Sequence, residues 1–196
     1  MAKLLIDTNI ISMAYLPNAP EWLWKWLESL PVGFLAVPWT SLYETEYGIR
    51  TAQRYNPAKA LELLAWFDKF VADCDPYPQM NSEASRLLGR MAATPALQHF
   101  FLTTERHNKN GQSLKPLRIQ LGGDVILAAL SIAHQVPVAT FNTRDFVYID
   151  RFFPLPGVYD PELDCWPVPP SAEWCDREHA NDDVQIVSLQ RSRPRQ

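Results

Sequence analysis

The sequence predicts an α/β protein in which a central, mostly parallel sheet is flanked by helices. Three observations carry this. Short, almost wholly apolar runs recur at Leu4-Leu5-Ile6, Phe34-Leu35-Ala36-Val37 and Pro137-Val138-Ala139-Thr140, and read as buried strands. Segments with helical periodicity alternate with them, and 47% hydrophobic residues in a chain of 196 supply one good core. Each run also leads into polar residues, at the carboxyl ends of strands where open α/β sheets hold their ligands.

Asp7 ends the first run, and Thr8 and Asn9 open a helix through Ile10, Ile11, Met13 and Ala14. A lone Asp at this place is an ordinary N-cap. After Pro17-Asn18-Ala19-Pro20, the stretch Glu21 to Leu30 sets Trp22, Leu23, Trp26, Leu27 and Leu30 on one helical face. That face reads as core, and Trp24, away from its centre, is a candidate partner-binding surface. Pro31-Val32-Gly33 makes a turn before the second strand, and a helix from Leu42 to about Ala52 follows it. Glu44 lies in Ser41-Leu42-Tyr43-Glu44, which matches the S-x-x-E capping box, so a capping role and a site role are both open. Helices from Pro57 to Phe70 and from about Asn81 to Met91 come next. Between them Val71-Ala72-Asp73-Cys74-Asp75 reads as a short strand, with Asp73 and Asp75 on a solvated edge.

The segment of about 92–121 is the least regular, broken by Pro95, Asn108, Asn110, Gly111 and Pro116. Residues 81–120 carry six basic side chains (Arg86, Arg90, Arg106, Lys109, Lys115, Arg118) against two acids, Glu83 and Glu105. A solvated face explains such a run, and so does a positive rim for a phosphodiester backbone. His99 and His107 have no ligand spacing. Gly122-Gly123 then permit close backbone approach ahead of Asp124, which sits in the first turn of an apolar helix to about His134. Its bland role is to complement the helix macrodipole. The third strand leads into Phe141-Asn142-Thr143-Arg144-Asp145-Phe146. Residues 1–153 form the main domain on this reading. Residues 154–196, with seven of the 17 prolines and eight acids against four bases, form an extension that is partly irregular and ends in a mobile tail.

The net charge of −4 argues against a protein that coats nucleic acid non-specifically. Cys74, Cys165 and Cys175 are odd in number and widely spaced, as expected in a reducing compartment and not in a zinc site. Neither a signal-peptide core nor a membrane span is present, so the expected location is the cytoplasm, away from membranes.

Asp7, Glu44, Asp124 and Asp145 each have a bland explanation, but their order along an alternating chain favours one shared site. Carboxylates crowded together raise one another's pKa unless a cation neutralises them, and an all-oxygen donor set selects Mg²⁺ or Mn²⁺. Such an ion activates water against a phosphodiester. The stretches Leu4 to Ser12, Thr40 to Ile49, Asp124 to Ala129 and Ala139 to Phe146 together resemble the PIN domain family. More narrowly they resemble the VapC/FitB-type toxins of bacterial toxin–antitoxin pairs, over about residues 3–153.

The resemblance implies a three-layer Rossmann-like fold and a Mg²⁺-dependent endoribonuclease acting on single-stranded RNA. It also implies a homodimer and a small antitoxin that blocks the site. Asp7, Glu44, Asp124 and Asp145 match the acidic quartet as catalytic residues and metal ligands. Asn9 and Asn142 match the polar residues beside it, and Thr140 the hydroxyl before the last motif. Arg144 is expected to pair with Asp145 or with a substrate phosphate. The long segment before Asp124, the Gly122-Gly123 pair and the tail depart from the compact toxins. A PIN-like binding scaffold without catalysis is the rival from another class. A haloacid-dehalogenase-like phosphatase is rejected, because Asn9 stands where that chemistry wants a second Asp.

Overall fold

The computed structural model describes residues 3–74, 78–102, 106–107, 113–115 and 122–179. Of the basic segment, Lys109 and Arg118 lie outside these residues, as do Asp75 and the Arg191–Arg195 tail.

Five strands build one sheet: β1 (Leu4–Ile6), β2 (Leu35–Ala36), β5 (Val138–Ala139), β6 (Val158–Asp160) and β7 (Cys165–Val168), in the order β2-β1-β5-β6-β7. The first four are parallel, with Leu5 opposite Ala36 on one side and Val138 on the other, and only β7 runs antiparallel. Strands β3 (Arg106–His107) and β4 (Ser113–Lys115) pair separately as an antiparallel ribbon. The helices are α1 (Thr8–Ala14), α2 (Glu21–Ser29), α3 (Trp39–Gln53), α4 (Pro57–Ala72), α5 (Ser82–Ala92), α6 (Gly123–His134), α7 (Thr143–Asp150) and α8 (Ala172–His179). A 3₁₀ turn spans Pro95–Phe100.

Side-chain alternation in the strands divides the core in two. Leu5, Ala36, Val138 and Val158 face a cluster with Leu87 of α5, Leu127 of α6 and Phe146 of α7. Leu4, Ile6, Leu35 and Ala139 face the other, with Ile11, Leu27, Ile49 and Phe67 of α1 to α4. The sheet is thus the middle of three layers, as the sequence predicts. Because β2 and β5 lie on opposite sides of β1, the carboxyl end of β1 is the topological switch point, where a crevice opens between diverging connections.

Four local expectations are corrected. Trp24 is 2% exposed and packs edge-on against Trp66, with ring centroids 6.3 Å apart, so it is core and offers no partner surface. Val71 and Ala72 extend α4 instead of forming a strand. The helix carrying Glu44 starts earlier, at Trp39 after Pro38, so the capping box is not formed. Ser41 instead donates its hydroxyl to the Ile6 carbonyl, 3.0 Å away, fastening α3 to the end of β1.

The main sheet does not stop at residue 153. Residues 158–160 and 165–168 are two of its five strands, a pattern masked in the sequence by Pro161 and Pro167. Beyond them Trp174, 4% exposed, stacks near Trp166 and donates its indole N–H to the Lys3 carbonyl at 2.8 Å. The described part of the extension is therefore built onto the body. No helix among the described residues is long and apolar enough to cross a membrane.

Candidate active site

Asp7 leaves β1 at the switch point, and its backbone N–H still donates to the Ala139 carbonyl of β5 at 3.0 Å. It occupies the N-cap position of α1, yet its side chain makes no capping hydrogen bond. Its Oδ2 instead accepts from the Thr140 hydroxyl at 2.6 Å and from the Asn9 amide at 2.9 Å. The same Asn9 amide nitrogen also donates to Thr140 Oγ1 at 3.0 Å, and the Asn142 backbone N–H donates to that oxygen at 2.9 Å. Both acceptor positions of the Thr140 hydroxyl are then filled, and its single proton is committed to Asp7. Asn9, Thr140 and Asn142 thus hold Asp7 by its Oδ2 edge, and among the described residues no side chain bonds its Oδ1.

The Asn142 side-chain amide bridges the next two acids, donating to Asp124 Oδ2 at 3.1 Å and to Asp145 Oδ2 at 2.9 Å. Asn142 sits at the N-cap position of α7 and, like Asp7, does not use its side chain to cap. Glu44, on α3, accepts from the Thr8 hydroxyl at 2.6 Å. Sequence reasoning assigned Thr8 only to the start of a helix; its position directly after Asp7 was the available sign of this second job. The two glycines before Asp124 have steric reasons. A Cβ on Gly123 would lie 2.8 Å from Glu44 Oε1, and one on Gly122 would lie 2.8 Å from the Phe100 carbonyl oxygen. The Gly123 contact places the first turn of α6 against Glu44.

The four carboxylates share one field. Burial pushes Asp124 up to about 7, and the charges of Asp7, Asp145 and Glu44 add to that, while the Asn142 hydrogen bond opposes it. Burial likewise raises Asp7 above the ordinary carboxylate range, opposed by the Thr140 bond and reinforced by Glu44. Among the described residues, no Lys, Arg or His forms an ion pair with any of the four. Nor do any three His, Cys, Asp or Glu side chains there converge closely enough to form a ready-made ion cage. Arg144 is exposed and makes no ion pair with Asp145 among the described residues. The expected Arg144–Asp145 bridge is therefore not formed.

A pH dependence follows from the sign of these shifts. A carboxyl whose pKa is raised on folding binds its proton more tightly in the native state, so it favours folding at low pH and loses that contribution as it ionises. For Asp124 the loss runs from the ordinary 3.8 to about 7. With screening of a partly exposed group allowed for, it is on the order of 2 kcal/mol. Urea unfolding in EDTA should show this loss between mildly acidic and mildly alkaline pH, with recovery when Mg²⁺ is added at the alkaline end. A flat profile would mean that neither burial nor the neighbouring acids raises the Asp124 carboxyl.

Solved structures share this architecture. The structure of FitAcB from Neisseria gonorrhoeae matches with a TM-score of 0.57 and 19% identity, over 81% of this chain and 98% of that one. VapBC2 from Rickettsia felis, bound to a DNA fragment from their promoter, matches at 0.50 and 18%, over 73% and 90%. DNA-bound VapBC from Salmonella typhimurium matches at 0.50 and 20%, over 74% and 91%. The chain has a PIN-type fold. Identities this low speak to the fold alone. No family profile matches the chain, and no curated protein matches it in sequence. Within the PIN-type fold, Asp7, Glu44, Asp124 and Asp145 come from four elements: the end of β1, α3, α6 and α7.

Proposed function

We propose that the protein is a metal-dependent endoribonuclease that hydrolyses phosphodiester bonds in single-stranded RNA, and that it acts as the toxin of a toxin–antitoxin pair. The observation that carries this reading is the bonded set at the carboxyl end of β1, where the Asn142 amide joins Asp124 to Asp145 beside the Asp7 carboxylate held by Thr140, with no described basic side chain ion-paired to any of these acids. A hard divalent cation suits that all-oxygen set, with Asp7 and Asp124 as the most direct ligands and Glu44 and Asp145 completing the negative field. When bound, the ion supplies Lewis acidity toward a phosphoryl oxygen and lowers the pKa of a water. The chain's own residues do the rest. Thr140 and Asn9 fix the Asp7 carboxylate, Asn142 spaces Asp124 from Asp145, and Thr8 holds Glu44 at the rim.

The same negative pocket would accept an Arg or Lys from a small antitoxin, an inhibition that needs no conformational change. A homodimer and a cytoplasmic location belong to this reading as well. The deciding experiment is cleavage of mixed-sequence single-stranded RNA by purified protein in Mg²⁺, in EDTA, and by a folded Asp7→Asn variant. Cutting in Mg²⁺ alone, lost in the variant, is the expected result. Cutting that survives both EDTA and Asp7→Asn would refute the reading. RNA binding without cutting would favour the non-catalytic scaffold, which draws its support from the uncaged carboxylates.

A further inference from the structure

A second surface borders the acids. A cleft of about 670 Å³ lies between the 3₁₀ turn and α7, lined by His99, Arg144, Tyr148 and Arg151, and shares Asp145 with the candidate active site. Arg144, Tyr148 and Arg151 follow one another at i, i+4 and i+7, so they form one stripe along α7. Both arginines are exposed, and among the described residues neither makes an ion pair. Arg151 is held instead by its guanidinium, 5.9 Å from the centroid of the Tyr148 ring. On its other side Tyr148 packs near His99, with centroids 5.6 Å apart, and its hydroxyl donates to the Ala96 carbonyl at 3.2 Å. The aromatic floor is therefore fixed while the two cations stay available.

We propose that this cleft is a docking groove for the backbone of the RNA strand, in which Arg144 and Arg151 hold phosphates flanking the bond presented to the acids. The ligand's identity rests on the ribonuclease reading; the groove's chemistry rests on the cleft itself. A protein of net charge −4 with an acidic site repels a polyanion, so binding requires local cations arranged along the strand's path. Arg144 and Arg151 supply them next to Asp145. Guanidinium groups suit phosphate because they donate in a planar fork. Contacts of this kind position the strand without reading its bases.

The test uses the full-length protein in EDTA, where no cutting occurs, and a short labelled poly(U) strand titrated over a range of KCl. Each phosphate neutralised on a single strand releases condensed counterions and contributes about 0.7 to the slope of log affinity against log salt. The Arg144→Gln/Arg151→Gln double variant should lose about tenfold in affinity at low salt and about 1.4 in slope, one step per arginine. Arg144→Lys/Arg151→Lys should keep the slope, and Arg54→Gln, at the C-cap of α3, should match the native protein. An unchanged slope in the double variant overturns the proposal, as does a native protein that does not bind the strand. A lower affinity accompanied by a change in mass by light scattering also overturns it, because the face would then belong to a second copy of the chain. Loss of slope together with metal-independent cutting would leave the groove standing and remove only the metal dependence of the proposed function.

Discussion

Replacing Asp124 by Asn should abolish most RNA cleavage and, in the same molecule, raise the stability of the metal-free protein. The two effects have one cause. Asp124 is costly to ionise first because it is largely buried and then because of the charges of Asp7, Asp145 and Glu44, and the same surroundings place it well to hold a cation. Removing its charge takes away a direct ligand, and loss of one preorganised electrostatic partner typically costs about 10²–10³ in turnover. It also removes the repulsion, so urea unfolding in EDTA at mildly alkaline pH should show a gain of about 1–2 kcal/mol and a flatter pH profile. Asn142 can donate to an Asn side-chain oxygen as it does to Asp124, so the substitution keeps the local hydrogen bond. Full activity in a folded Asp124→Asn protein would place the chemistry elsewhere. Lost activity with no gain in stability would show that ionised Asp124 is strained neither by burial nor by its acidic neighbours.

The second large effect is expected at Phe146. This side chain is wholly buried and joins the core against α6, Val138 and Val158, one residue from Asp145 and four from Asn142. Phe146→Ala should cost about 3–5 kcal/mol, the range for truncating a buried aromatic side chain. Urea denaturation read by tryptophan fluorescence would measure it. Because the cavity opens beneath α7, Asn142 would lose its fixed position between Asp124 and Asp145. Metal affinity should then fall in protein that is still folded. A loss below about 1 kcal/mol would mean that the face of α7 next to the acids is not anchored by the core.

The contrast between these two positions shows what the sequence reveals. Leu4 to Ile6 and Val138 to Ala139 are legible because strands buried on both faces leave unbroken apolar runs. Asp7, Asp124 and Asp145 are legible because each follows such a run or opens an apolar helix. Glu44 was ambiguous for a physical reason, since Ser41 and Glu44 have the spacing of a capping box and only the tertiary contacts, Ser41 to Ile6 and Thr8 to Glu44, decide otherwise. Strands β6 and β7 were hidden because β6 reads Val158-Tyr159-Asp160, with no unbroken apolar run, and β7 carries Pro167 at the sheet edge, where its missing N–H costs little. Trp24 was misplaced because a helix in contact with both a sheet and α4 has more than one buried face. The amide of Asn142 serving two carboxylates is a purely three-dimensional fact: both hydrogen bonds depend on how α6 meets α7.

The indole bond from Trp174 to the Lys3 carbonyl sets a mechanical order on the molecule. It joins the first described residue to the last described helix, so β1 and α8 are tied to each other across the fold. A proteolytic motor pulling from the C-terminal side must first peel α8 away and break that stitch. It then strips β7, the antiparallel guard strand, before it reaches β6. The strands that carry Asp7 and Thr140 sit further in, and they come under load only after both outer strands have gone. Asp145 on α7 comes next in the chain after β6, so the set of acids stays whole only while both outer strands are in place.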